Sequence, residues 1–263
     1  MREVWFESGG VRLFAVEDGE GPVIVMLHGG MANHWASLPL VAPLTSRFRV
    51  ITPDLRGSGK SWSGAPLTFD QLADDLAVLL DQSGVEQAVI GGASGGSGVA
   101  LRFALRHANR TAALVVVNPV YAGEERGYTG PQRETFAMMD AVASRALDEG
   151  VQVLRPLYVN LPPEIREKAL AMVEGFDPAS VVATSRFIAS GAQPFASAAD
   201  LRSLSMPTLL VRGADALHPA EVSDLYAENI PNCTVVPATA DVPAEIGAFC
   251  DQRVFGGISG VRS

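Results

Sequence analysis

Two patterns of apolar residues organise the first 120 positions. Val4 to Glu7 and Val11 to Val16 alternate apolar with polar residues on either side of Gly9-Gly10, which predicts an antiparallel hairpin with one buried face at a sheet edge. Beyond Gly21-Pro22 the alternation gives way to short, nearly continuous apolar runs: Val23 to Leu27, Phe48 to Thr52, Ala88 to Ile90 and Ala113 to Val117. Strands covered on both faces of a parallel sheet have this composition. Helical spacing lies between them. Thr68 with Gln71 three positions on has the form of a capping box, Leu72, Leu76, Leu79 and Leu80 share one face, and Gly84 ends the segment. A second helix is expected from a turn at Ser94 through Val99, Leu101, Phe103 and Leu105 to about His107. Strand and helix in alternation imply an α/β chain with a doubly wound, mostly parallel sheet.

From Tyr121 to about Leu201 the strand rhythm stops. Helical stretches punctuated by Gly130-Pro131, Pro162-Pro163 and Asp177-Pro178 take its place. A structureless loop of that length is uncommon inside a compact domain, so a helical cap insertion is expected. The rhythm returns with Thr208 to Val211, a helix through Val222, Leu225 and Tyr226, the run Thr234 to Val236, and a last helix around Ile246 and Phe249. The implied organisation is a core of residues 1–120 and 202–255, a cap of residues 121–201, and a flexible Gly- and Ser-rich tail at 256–263.

Composition narrows the function classes. Of 263 residues 48% are hydrophobic, enough for a large core, and the formal charge of −9 arises from scattered acidic residues with no basic run. A nucleic-acid partner is therefore not expected. The first residues lack the apolar stretch of a signal peptide and no segment approaches the ~20 apolar residues of a membrane span, so a cytoplasmic location without membrane association is expected. Cys233 and Cys250 have no metal-like spacing and read as core thiols. With histidines and cysteines scattered, neither metal nor cofactor is expected; a small-molecule substrate is. Oligomeric state is not legible.

Chemistry concentrates at Gly91-Gly92-Ala93-Ser94-Gly95-Gly96, directly after an apolar run and directly before a helix pattern. In that context G-x-S-x-G describes a nucleophile elbow, a serine lifted above the sheet on a sharp turn that closes only if the residues two before and two after it are small. Leu27-His28-Gly29-Gly30-Met31 ends the first parallel strand, and its Gly30 N–H together with that of Gly95 is the expected oxyanion pair. The His28 side chain is expected to brace the loop. Pro53-Asp54-Leu55-Arg56-Gly57-Ser58-Gly59-Lys60-Ser61 has the wrong order for a phosphate-binding loop and is expected to be structural, with Asp54 and Arg56 bracing neighbours.

These segments, together with P-T-L-L-V-R-G-A-D at 207–215, resemble the α/β-hydrolase fold superfamily over most of residues 21–120 and 204–250. The resemblance implies Ser94 as nucleophile, Gly30 and Gly95 as oxyanion donors, and Asp215 as the acid of a catalytic triad. It also implies a histidine after the last strand. That place reads Val236-Pro237-Ala238-Thr239-Ala240-Asp241-Val242-Pro243, and Asp241 stands where the imidazole belongs. A serine hydroxyl needs a base within hydrogen-bond reach, and a carboxylate is a poorer match to neutral pH than imidazole.

Of the four histidines, His107 lies at the far end of its helix, three turns from Ser94, and is excluded by distance. His34, beside Trp35, could face the mouth of the pocket. His218, on the loop that carries Asp215, is the strongest substitute, although it could equally cap the helix that starts at Pro219. Met31, Tyr121 and Asp241 are further candidates to line the pocket. Aromatic and apolar cap residues, Tyr128, Phe136, Met138, Met139 and Phe195 among them, suggest an apolar acyl or aryl group. Two function classes stay open. One is a serine hydrolase of small esters, lactones or amides with His218 as a displaced base. The other is a non-hydrolytic lyase or cyclase, or a ligand binder without turnover.

Overall fold

The structure, a computed structural model, describes residues 1–255. At its centre one eight-stranded sheet runs in the order β1-β2-β4-β3-β5-β6-β7-β8. β1 (Arg2–Ser8) and β2 (Val11–Asp18) form the antiparallel hairpin, with Trp5 opposite Phe14, and β2 also lies antiparallel to β4 (Arg49–Pro53). The other strands, β3 (Val23–Leu27), β5 (Ala88–Ala93), β6 (Thr111–Val117), β7 (Thr208–Val211) and β8 (Cys233–Val236), pair in parallel with their neighbours.

The continuous apolar runs follow from burial on both faces. In β3, Val25 and Leu27 join one core cluster and Ile24 and Met26 another; in β6, Leu114 and Val116 face the first and Val115 and Val117 the second. The first face is covered by α2 (Phe69–Gln82), α3 (Gly95–Arg106) and α9 (Ala220–Asn229), and the second by α1 (His34–Val41) and α10 (Val242–Phe249). The sheet is thus doubly wound.

Local detail differs in two places. β5 continues past Ile90 to Ala93, because Gly91 packs edge to edge with Met26 and Val115 and leaves no space for a side chain. At the start of α2, Thr68 accepts from the Gln71 amide at 3.1 Å, but the Gln71 side chain donates to Asp75 at 3.0 Å, so the reciprocal half of the capping box does not form. Asp75 is a buried carboxylate already gripped by Arg56 through two bonds of 2.8 and 2.6 Å, and it is the stronger acceptor.

Among the described residues the chain between β6 and β7 carries helices and no strand: α4 (Gly130–Ala143), α5 (Ala146–Glu149), a tight helical turn at Val151–Leu157, α6 (Pro163–Glu174), α7 (Pro178–Ala189) and α8 (Ala198–Arg202). Phe136, Leu154, Val173, Val181, Ile188 and Phe195 from this stretch join the cluster that also holds Leu72, Val99 and Leu225. No helix among the described residues is long and apolar enough to cross a membrane. The expected tail at 256–263 lies outside the described residues.

Candidate active site

Ser94 occupies the turn between β5 and α3 with φ 51° and ψ −121°, a region that a residue with a Cβ enters only under constraint. The constraint is steric. A Cβ on Gly92 would stand 2.1 Å from the Gly96 carbonyl oxygen, and one on Gly96 would stand 2.3 Å from that of His28. Only glycine at both positions lets the strand fold back so closely on the helix. The Ser94 N–H donates to Val117 O at 2.9 Å, which ties the elbow to β6.

The His218 imidazole reaches this hydroxyl. Its Nε2 lies 2.9 Å from Ser94 Oγ, and its Nδ1 lies 2.9 Å from both carboxylate oxygens of Asp215. With Nδ1–H donating to the carboxylate, Nε2 carries the free lone pair and faces the serine O–H. Acid and imidazole come from one loop after β7. Asp215 Oδ1 also accepts from the Leu217 and His218 amides, at 2.8 and 2.9 Å, and closes the loop on itself. A Cβ on Gly213 would meet His218 O at 2.3 Å, so the turn needs glycine there as well. Burial pushes the Asp215 carboxyl upward, but the imidazole hydrogen bond, the His218 amide and charge, and the Leu217 amide outweigh it and hold its pKa below the usual carboxylate range. The Asp215 side chain is 63% exposed and that of His218 17%. α9 begins behind Pro219 with no side-chain cap, so His218 does not serve as one.

Gly30 and Gly95 are neighbours across the elbow. The Gly30 nitrogen lies 3.0 Å from where a Cβ of Gly95 would stand, and Gly29 packs on the Ser94 Cβ. Ile188 of α7 covers this loop, its Cδ1 2.6 Å from where a Cβ of Gly30 would be. A cavity of about 30 Å³ adjoins Gly29, Gly30 and Gly95, with Val99, Tyr121, Phe187 and Ile188 among its apolar walls. Tyr121 therefore lies beside the Gly29–Gly30 loop. Met31 is buried with φ 55°, lines a separate void of about 10 Å³, and offers its carbonyl to the Tyr158 hydroxyl at 2.5 Å.

The remaining candidates have structural partners. His28 donates from Nδ1 to Gly29 O at 2.7 Å and accepts at Nε2 from the Leu55 amide at 3.0 Å; burial lowers its pKa and keeps it a neutral brace. His34, expected near the pocket mouth, is instead buried against Asp54, whose Oδ1 takes both its amide and its Nδ1 at 2.7 Å. The physical reason is that a carboxylate with no exposed side-chain surface requires donors. Arg56 also donates to Ser8 O at 2.9 Å, and the loop at 53–61 is a brace. Asp241, aligned with the missing histidine, is the N-cap of α10, accepting from Ala244 N at 3.2 Å, and hydrogen-bonds to neither Ser94 nor His218. His107 caps the far end of α3 and meets Asp74 at 2.9 Å. Sequence reasoning did not single out Ile188, whose position over Gly30 depends on how α7 packs.

Residues 22–153, half of the chain, match the family described as alpha/beta hydrolase fold. A candidate carbamate hydrolase, RutD of Caulobacter sp. (strain K31), is 29% identical over 221 residues, which cover 79% of this chain and 77% of that protein. A thermophilic esterase from Thermogutta terrifontis, solved with malate bound, superposes with a TM-score of 0.75 at 27% identity over 100% of both chains. The enol-lactonase from Burkholderia xenovorans LB400 shares the fold, with a TM-score of 0.74 at 20% identity over 97% of this chain and 98% of that one.

Proposed function

This chain belongs to the alpha/beta hydrolase fold family and is a hydrolase of that fold, and from that premise we propose that it cleaves small esters, lactones or amides through Ser94. One observation carries the reading: an imidazole 2.9 Å from the serine hydroxyl, with its other nitrogen on a carboxylate. His218 takes the hydroxyl proton as Oγ attacks the carbonyl carbon, and the imidazolium then protonates the leaving oxygen or nitrogen. The Gly30 and Gly95 amides receive the oxyanion, assisted by the N-terminal dipole of α3. Water, deprotonated by the same imidazole, releases the acyl group. Asp215 fixes the tautomer and balances the charge.

The cavity beside the oxyanion donors, walled by Val99, Tyr121, Phe187 and Ile188, supports a small apolar acyl group. The helices at 121–201 act as a cap, with α7 closing that cavity through Ile188. Carbamate hydrolase, esterase and enol-lactonase, the names of the relatives, all denote attack on an acyl carbon. The non-hydrolytic reading rested on the absence of a late histidine, and with His218 at the hydroxyl no observation favours it.

A fluorophosphonate probe tests the proposal. Wild-type protein should be labelled at Ser94, Ser94→Ala should abolish the label, and His218→Ala should slow it by about 10²- to 10⁴-fold, the usual contribution of a positioned base. Wild-type protein that takes no label would overturn the reading.

A further inference from the structure

We infer that Gln132, at the start of α4, is a positioning residue for His218. The inference rests on the proposed role of that imidazole. Gln132 has no exposed surface, and its carboxamide is fully used. The Oε1 accepts from the Thr129 amide at 2.9 Å, while Nε2 donates to Val120 O at 3.0 Å and to Leu217 O at 2.8 Å.

The last bond is the informative one. Leu217 C=O and His218 N–H belong to a single peptide unit, which is planar. Its oxygen is held by Gln132 and its N–H by Asp215 Oδ1 at 2.9 Å. A plane gripped at both ends cannot swing, and its orientation sets the direction in which the His218 side chain leaves the backbone. Apart from the contact of His218 with Ser94 and the Arg212 amide on Val236 O at 3.0 Å, the other hydrogen bonds of the loop are internal or reach α9, as Gly213 N does to Ser223 Oγ at 2.9 Å. Among the described residues Gln132 is the side chain that ties this loop to the helices between β6 and β7, and through Val120 it ties both to the exit of β6. An acid and base that share one short, exposed loop lack a second loop to hold the imidazole in place; the carboxamide supplies that restraint.

The test uses the full chain and four variants, read by the rate of fluorophosphonate labelling and by kcat and KM on a short-chain aryl ester. Gln132→Leu keeps the bulk and removes both donors. It should lower the labelling rate and kcat by about 10- to 100-fold with KM little changed, the cost of a misplaced catalytic group. Its low-field proton resonance from the His218–Asp215 hydrogen bond should broaden. Thr129→Val, which removes the helix cap and leaves the carboxamide, should lower stability without changing either rate. Gln132→Glu can donate one proton when neutral and none when ionised, so its labelling rate per folded molecule, with the folded fraction read by circular dichroism at each pH, should fall relative to wild type as pH rises; that normalisation removes the loss of stability that a buried, ionising carboxyl also causes. This variant carries the test if Gln132→Leu does not fold. A folded Gln132→Leu protein labelled at the wild-type rate would overturn the inference, as would a folded Gln132→Glu protein labelled at the wild-type rate at every pH. If wild type is labelled but His218→Ala reacts as fast as wild type, the base assignment fails and takes this inference with it, an outcome separable from a failure at Gln132 alone.

Discussion

Asp215 and His218 are separated by two residues, so a single loop sets both the reach of the imidazole to Ser94 and the direction of its Nδ1–H. Proximity in the chain made the approach of His218 to Ser94 legible, since a side chain three positions from Asp215 has few places to go. Asp241 and His34 were misplaced for the same reason: their partners are the Ala244 amide and the Asp54 carboxylate, and sequence does not display which groups lack a hydrogen bond. Asp241→Ala should therefore leave kcat unchanged while costing about 1 kcal/mol in urea denaturation, as loss of a helix cap does. Asp54 gives a pH test. Burial pushes its carboxyl up, but the His34 hydrogen bond and charge, with the Lys60 amide, outweigh it and hold the pKa low. Its stabilising contribution is therefore complete above the unfolded carboxylate value near ~4 and is lost as pH falls through the depressed folded value. The urea midpoint of wild type should drop more steeply below that pH than the midpoint of Asp54→Asn; parallel curves would refute the assignment.

Elements with strong periodicity, such as α2 and the two-face strands β3 and β6, were legible because burial imposes the pattern directly. The elbow was legible because its glycines are sterically obligatory. Gly96→Ala would press a methyl group into the backbone oxygens of His28 and Leu27, at 2.3 and 2.8 Å, and should cost about 3 kcal/mol or prevent folding, measured by thermal and urea unfolding. The packing of α7 was not legible, because its amphipathic pattern says that it is buried and not against what. Thr184 fastens it to Gly57 O at 2.8 Å and Ser180 Oγ accepts from the Ser63 amide at 2.8 Å, bonds that bring Ile188 over Gly30. Ile188→Ala should open the cavity and raise the ratio of kcat/KM for butanoyl over acetyl esters by about tenfold, within the range expected when a pocket gains room for a methylene or two. An unchanged ratio would remove α7 from the acyl site.

At the scale of the molecule, the parallel strands deliver the Ser94 elbow, the Gly30 loop and the Asp215–His218 loop to the same edge of the sheet, as ends of β5, β3 and β7. The helices between β6 and β7 share the core cluster of the sheet and do not bury a core of their own, which predicts one cooperative unfolding transition. All three tryptophans, Trp5, Trp35 and Trp62, lie outside that helical stretch, so fluorescence follows the rest of the chain while far-UV circular dichroism also follows the helices. The two curves should coincide, and separate midpoints would contradict a shared core. The proposed hydrolysis depends above all on His218 being the base for Ser94, and the most direct measurement is kcat/KM for a short-chain ester with His218→Ala protein in rising concentrations of free imidazole. The expected result is a loss of about 10²- to 10⁴-fold without imidazole and partial, saturable recovery with it. A folded variant that turns over at the wild-type rate without imidazole would contradict the account.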